Sequence, residues 1–153
     1  MIINVTGGKE YQRKYVESIT TFVVQKLMPR MRNLEFNINL KTIHSACGYC
    51  LATDDADSQR PREFDIEIKK DLPLRTLLET VAHELVHAKQ FARGELYQSS
   101  VTAKHRWQGE WLDNNPEYWD LPWEIEAHGR ELGLFIRWCE QSGHAGKKWA
   151  NLP

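Results

Sequence analysis

Three cysteines in 153 residues are too few, and odd in number, for a disulfide framework, and they point to a reducing compartment in which the fold stands on its own core. An excess of one charge is missing too. The 20 basic and 21 acidic side chains leave a net charge of −1, so no global field draws the chain to an anionic membrane, and the balance argues against nucleic acid as a partner. No apolar run approaches the roughly 18 residues of a membrane span. The opening stretch MIINVTGGKEYQRKY turns polar after residue 5, too early for a signal-peptide core. Internal repeats, low-complexity tracts and linkers are also absent. Together these absences lead us to expect a soluble, cytoplasmic protein of one domain spanning 1–153. What is present is apolar content of 41%, enough for a real core.

The hydrophobic period divides the chain. Residues 2–5 read as a short strand, and helical spacing of Tyr15, Ile19, Phe22, Val23 and Leu27 predicts a helix over about 10–28, stopped by Pro29. The period then becomes two: Leu34, Phe36, Ile38 and Leu40 alternate, as do Phe64, Ile66 and Ile68, with CGYCLAT between them as a further strand. The charged, turn-rich stretch 54–61 reads as a hairpin loop. Helical spacing returns over about 74–93 and 122–142, separated by a loop or ribbon with short strand pieces. This order predicts an α+β fold, a small mostly antiparallel or mixed sheet of three to four strands with helices on one face. Within it, 1–72 supply the first helix and the sheet, 73–143 the later helices, and 144–153 a C-terminal tail.

The segment TVAHELVHAKQFARGE places His83 and His87 four positions apart, with Glu84 after the first. On a helix the two imidazoles stand about 40° apart, one turn above the other, and reach one point; Glu84 lies about 100° from His83. Neutral imidazoles are good zinc ligands, and a carboxylate beside the metal is suited to take a proton from water. The plainer alternative is a pair of ordinary helix histidines. Against a core role, Leu74, Leu77, Leu78, Val81, Leu85, Ala88 and Ala92 form an apolar stripe centred about 150° away.

A catalytic zinc takes three protein ligands and leaves one position open. PWEIEAHGRELG suggests the third. On this helix Gly129 and Gly133 lie within about 60° of Glu126, and two helical glycines cost roughly 1 kcal/mol each relative to alanine. A close helix crossing on the Glu126 side would account for them, and would carry that carboxylate to the ion.

HELVHAKQFARGE together with YWDLPWEIEAHGRE resembles the zincin-type metallopeptidases, in particular small SprT-like proteins of the kind encoded by bacteriophages, and EIEA is similar to the third-ligand helix of gluzincin-like peptidases. The resemblance covers about residues 74–140. It implies a zincin-like fold, zinc (Zn2+) held by His83, His87 and Glu126, Glu84 as general base, and hydrolysis of a peptide or protein substrate, within the host cytoplasm if phage-encoded. Two departures from the pattern bear on the third ligand. SprT-like proteins often use a histidine in a His-Gly pair downstream, whereas here His105 precedes Arg106 and the pair is His128-Gly129; gluzincins carry an aspartate where this chain has Arg130. His105 is therefore the alternative ligand.

Tyr118, His128, His105 and Tyr97 are candidate donors to a developing oxyanion. His44, Cys47 and Cys50 form H-x-x-C-x-x-C, a weak signal for a second zinc site, because strand positions three apart point to opposite faces. The aromatics Trp107, Trp111, Tyr118, Trp119 and Trp123 suit either a cleft floor or plain packing. Two other functions stay open from sequence: a non-catalytic zinc-binding assembly protein, and a nucleic-acid-associated SprT-like protease.

Overall fold

A computed structural model describes residues 1–54, 58–112 and 116–151. In chain order the elements are β1 (Ile2–Gly7), α1 (Glu10–Leu27), β2 (Glu35–Lys41), β3 (Gly48–Ala52), β4 (Glu63–Lys69), α2 (Leu74–Ala92), β5 (Leu96–Gln98), β6 (His105–Trp107), β7 (Glu110–Trp111), a 3-10 turn (Tyr118–Asp120), α3 (Pro122–Gln141) and α4 (Lys148–Asn151). The three long helices fall within a residue or so of the expected spans, and the expected ribbon is a three-stranded antiparallel sheet, β5-β6-β7. Of the expected hairpin loop over 54–61, residues 55–57 lie outside the described residues. No helix among the described residues is long and apolar enough to cross a membrane.

The main sheet has the order β1-β2-β4-β3. β1, β2 and β4 run parallel, and β3 pairs antiparallel with β4. The fold is thus α+β with a mixed four-stranded sheet. Its register aligns Phe36 with Phe64, Ile38 with Ile66 and Leu40 with Ile68, so strict alternation places both apolar sets on one face, all at most 1% exposed. On the other face Asn37 bonds Asn4 and Asp65, and Lys41 bonds Glu67. α1 and α2 cover the apolar face. Val16, Ile19 and Val23 of α1 and Leu78, Val81 and Leu85 of α2 are fully buried with it.

β3 is one of the two edge strands, with β1 at the other margin, and its inward residues are small. Gly48, Cys50 and Ala52 stand opposite Ile68, Ile66 and Phe64, which lets α2 lie close against this margin. Of the segment expected as a C-terminal tail, residues 144–151 pack on the domain, with Trp149 and His144 against Tyr15 and Trp138 and with Ala150 buried, and 152–153 lie outside the described residues.

Candidate metal centre

α2 is apolar only toward the sheet. At its C-terminus Gly94, at φ +70°, supplies the left-handed residue of a Schellman turn: Gly94 N–H donates to the Phe91 carbonyl and Glu95 N–H to that of Gln90. This stop sends the chain into β5 beside the last turn. Beside its apolar stripe α2 carries His83, Glu84 and His87, only 8%, 5% and 9% exposed. α3 crosses over the two histidines, and β3 packs against Glu84.

The crossing does not use the glycines. Ala127 is the fully buried small residue of α3, whereas a Cβ added at Gly129 or Gly133 would meet nothing within 4 Å. The expectation of a close approach on the glycine side is therefore corrected. At 100° per residue Glu124 lies about 60° to one side of Ala127 and Glu126 about 100° to the other. α3 presents both carboxylates to α2, but at different places.

Glu124 meets the histidines. His83 Nε2 and His87 Nε2 are 3.1 Å apart; Glu124 Oε2 is 3.3 Å from the first and Oε1 3.4 Å from the second. A tetrahedral ion with bonds of about 2.0–2.1 Å needs ligand atoms about 3.3–3.4 Å apart; the separations here are of that size, with Glu124 turning one oxygen to each histidine. Glu126 lies elsewhere. Its Oε1 accepts from Lys89 Nζ at 2.6 Å and Arg130 Nε at 2.9 Å, and its Oε2 from Gln90 Nε2 at 2.9 Å. The structure does not bring it to the histidine pair.

Each histidine is held from behind. Glu131 Oε2 lies 2.7 Å from His83 Nδ1. Gln90 Nε2 donates to the Trp123 carbonyl and to Glu126, which turns Gln90 Oε1 toward His87 Nδ1 at 2.9 Å. Both acceptors place a hydrogen on Nδ1 and leave Nε2 to face Glu124, the arrangement that orients histidines at metal sites. Burial opposes charge on His83, but hydrogen bonds to Glu124 and Glu131 and the nearby carboxylates outweigh it and raise its pKa to about 9. Burial likewise pushes Glu124 up, yet the bonds to His83 and His87 hold its carboxyl well below the usual range. The centre is built to stabilise positive charge.

Glu84 adjoins the pair from the same helix. Burial raises its pKa, partly offset by the charges of His87 and His83. β3 leaves it room: a Cβ on Gly48 would lie 2.8 Å from Glu84 Oε1 and 3.0 Å from Thr80 Cγ2. Gly48, Tyr49 and Cys50 line one wall of a cleft of about 500 Å³, with Leu96, His105 and Trp123 across it and the two histidines, Glu84 and Glu124 at its floor.

Of the four candidate donors, Tyr118 and His128 adjoin the centre. Tyr118 Oη donates to Glu124 Oε2 at 2.7 Å and lies 3.1 Å from His128 Nε2. Burial, then the hydrogen bond and charge of Glu124, push its pKa above the tyrosine range. His105 lines the cleft with its ring 4.8 Å from that of Trp123. Tyr97 packs against Trp111 and Arg106. His83, Glu124 and His128 also offer ligand atoms within 4.8 Å of one another; His128 Nε2 is 4.0 Å from Glu124 Oε2, wider than a tetrahedral edge, and His128 is engaged with Tyr118 and Glu131. The His83-His87-Glu124 set fits better. Among the described residues no other such cluster occurs, and Cys47 of the H-x-x-C-x-x-C stretch is exposed.

Glu124, Glu131 and Gln90 were missed by sequence reasoning. The signal was the spacing of Glu124, His128 and Glu131, at i, i+4 and i+7 along the face that also holds Ala127 and Phe135. Comparison of the chain with protein-family models, curated proteins and solved structures returns no match.

Proposed function

We propose that this protein is a zinc-dependent peptidase of zincin-like architecture, in which His83, His87 and Glu124 hold the ion and Glu84 is the general base. The reading rests on one observation above all: two imidazole nitrogens and a carboxylate converge at 3.1–3.4 Å on the floor of a cleft that also holds a buried glutamate. Two nitrogens and an oxygen suit zinc, and three ligands leave a position open to substrate and water. When bound there, zinc supplies Lewis-acid polarisation of a carbonyl and makes water more acidic.

The chain's own residues do the rest. Glu84 accepts a proton from water on the cleft side and passes it to the departing amine; burial raises its pKa, which strengthens it as a base. Tyr118, kept protonated by its surroundings, turns its single hydrogen from Glu124 toward negative charge developing on the substrate carbonyl oxygen. The free edge of β3 offers main-chain donors and acceptors to an extended peptide, which would bind as a fifth strand with little demand on sequence. Leu96, His105 and Trp123 close the opposite side.

The test is elemental analysis with digestion of casein by wild type, His87→Ala and Glu84→Gln. About one zinc per chain, lost in His87→Ala, and casein cleavage abolished by a chelator and restored by zinc are expected. Full zinc content in folded His87→Ala would overturn the metal assignment, and undiminished cleavage by zinc-loaded Glu84→Gln would remove Glu84 as base.

A further inference from the structure

A second cavity, of about 350 Å³, continues the cleft along β3. It shares Cys50, Phe91 and Leu96 with the metal-centre cleft and extends to Ala52 and Asp54 on one side and Tyr97 and Ser99 on the other. Two observations give it chemistry. Its inner wall is apolar, with Leu96 only 4% exposed. At its far side stands Asp54, the one charged residue among those that line it, whose Oδ2 accepts the Arg62 backbone N–H at 2.7 Å. Arg62 Nη1 is turned to the carbonyls of Arg60, Pro61 and Ala92.

A lone carboxylate at the end of an otherwise uncharged, largely apolar cavity favours a ligand with an apolar stem and a cationic tip. We infer that this cavity is a subsite for a lysine or arginine side chain of the peptide substrate, its aliphatic stem along Phe91 and Leu96 and its cationic head on Asp54. The inference rests on the peptidase reading and deepens it. Strand geometry sets the position: Gly48 lies against Glu84, and at about 3.4 Å per residue a peptide paired with β3 is over Cys50 two residues further on and over Ala52 after four. The basic residue therefore falls two to four residues from the scissile bond, always on the same side. A long side chain with an apolar stem and a charged tip suits such a site better than leucine, which offers Asp54 neither charge nor donor.

Two experiments test this. In the first, casein is digested with the zinc-loaded protein and the cut sites are mapped by mass spectrometry. Lysine and arginine should be enriched at one fixed position, and Asp54→Asn should lower kcat/KM for a peptide with lysine there about 10-fold or more relative to its leucine counterpart. Ser58→Lys, which places a cation beside the cavity without removing Asp54, should erase the same preference. Flat cut-site statistics, or equal effects on both peptides, would overturn the subsite while leaving the peptidase standing. In the second, zinc-loaded Glu84→Gln protein is titrated with fluorescein-labelled decapeptides of serine, alanine and glycine bearing a single lysine, leucine or glutamate. Tighter binding of the lysine peptide, lost in Glu84→Gln/Asp54→Asn, supports the subsite even if wild type cleaves nothing, an outcome that would sink the peptidase reading alone. Equal binding of all three overturns it.

Discussion

The two sides of α2 are both buried, yet they are held by different forces. Toward the sheet, Leu77, Val81, Leu85 and Ala88 are all 0% exposed and are stabilised by area removed from water, which needs no directional partner. Toward α3, His83, Glu84, His87, Lys89 and Gln90 are 0–9% exposed and are polar or ionisable. Burial costs such groups free energy unless every donor and acceptor is matched. One helix thus carries a side that specifies the fold and a side that holds charge in place. The first tolerates replacement by anything apolar of the right volume, and the second depends on individual atoms.

The largest way to break this contrast is chemical. Zinc-loaded Glu84→Gln should lose about 10²–10⁴-fold in turnover, the range for removing a general base, while zinc content and thermal midpoint stay near wild type. On the opposite side Leu85→Ala should do the reverse. It should cost about 2–5 kcal/mol of stability in chemical denaturation of the metal-free protein, with zinc stoichiometry of the folded fraction preserved. A Leu85→Ala protein that kept its stability but lost zinc would erase the distinction between the sides.

Glu124→Ala and Glu126→Ala sharpen the metal side. Glu124→Ala should leave the two histidines without the third ligand proposed for them, and zinc measured by elemental analysis should fall far below one per chain. Glu126→Ala should retain zinc at high metal concentration. If the two variants exchanged these behaviours, the carboxylate assignment would revert to the one suggested by the glycines. A smaller effect is expected at β3: Gly48→Ala would place a Cβ 2.8 Å from Glu84 Oε1, so it should displace that carboxylate and lower kcat with zinc affinity little changed. Equal losses of kcat and zinc would mean that β3 supports the ligands rather than the base.

Which side of a helix is buried was legible for the sheet side of α2 because it repeats. Leu77, Val81, Leu85 and Ala88 state their direction four times, and the alternating Phe36, Ile38 and Leu40 do the same for β2, so helix spans, strand identities and the α+β class followed from period alone. The histidine pair was legible because both partners sit on one element at helical spacing. The third carboxylate was not. Glu124 and Glu126 stand about 160° apart on the same helix, and the choice between them depends on which side of α3 meets α2, a property of tertiary packing. Gly129 and Gly133 suggested a close crossing, but they face open space; the contact is made by Ala127, whose own signal is a single small residue. The strand order was hidden for a similar reason, since pairing of β2 with β4 past β3 is non-local.

The finest test concerns the residue that was expected to bind metal and instead lies one step behind His87, a ligand of the proposed centre. Glu126 accepts from Gln90, and Gln90 accepts from His87 Nδ1, so the carboxylate helps fix which way the amide points and, through it, which nitrogen of His87 faces the centre. Loss of such an outer partner typically costs 10–100-fold in metal affinity or activity. Gln90→Leu removes the acceptor and should weaken zinc within that range. Glu126→Gln should cost less, because the Trp123 carbonyl still accepts from Gln90 and alone favours the same amide orientation. Lys89 complicates the comparison, since its ammonium lies 2.6 Å from Glu126 and 2.7 Å from Glu95, and a neutral amide at 126 leaves it with one carboxylate. A thermal midpoint is sensitive to that lost ion pair; the ring tautomer is not. Nitrogen NMR of His87 in the metal-free protein separates the two: wild type and Glu126→Gln should both carry hydrogen on Nδ1, and Gln90→Leu should show a mixture. If Gln90→Leu kept the wild-type tautomer and zinc affinity, the amide would be a packing residue, and orientation of His87 would fall to Glu124 and the fit of the ring against His83.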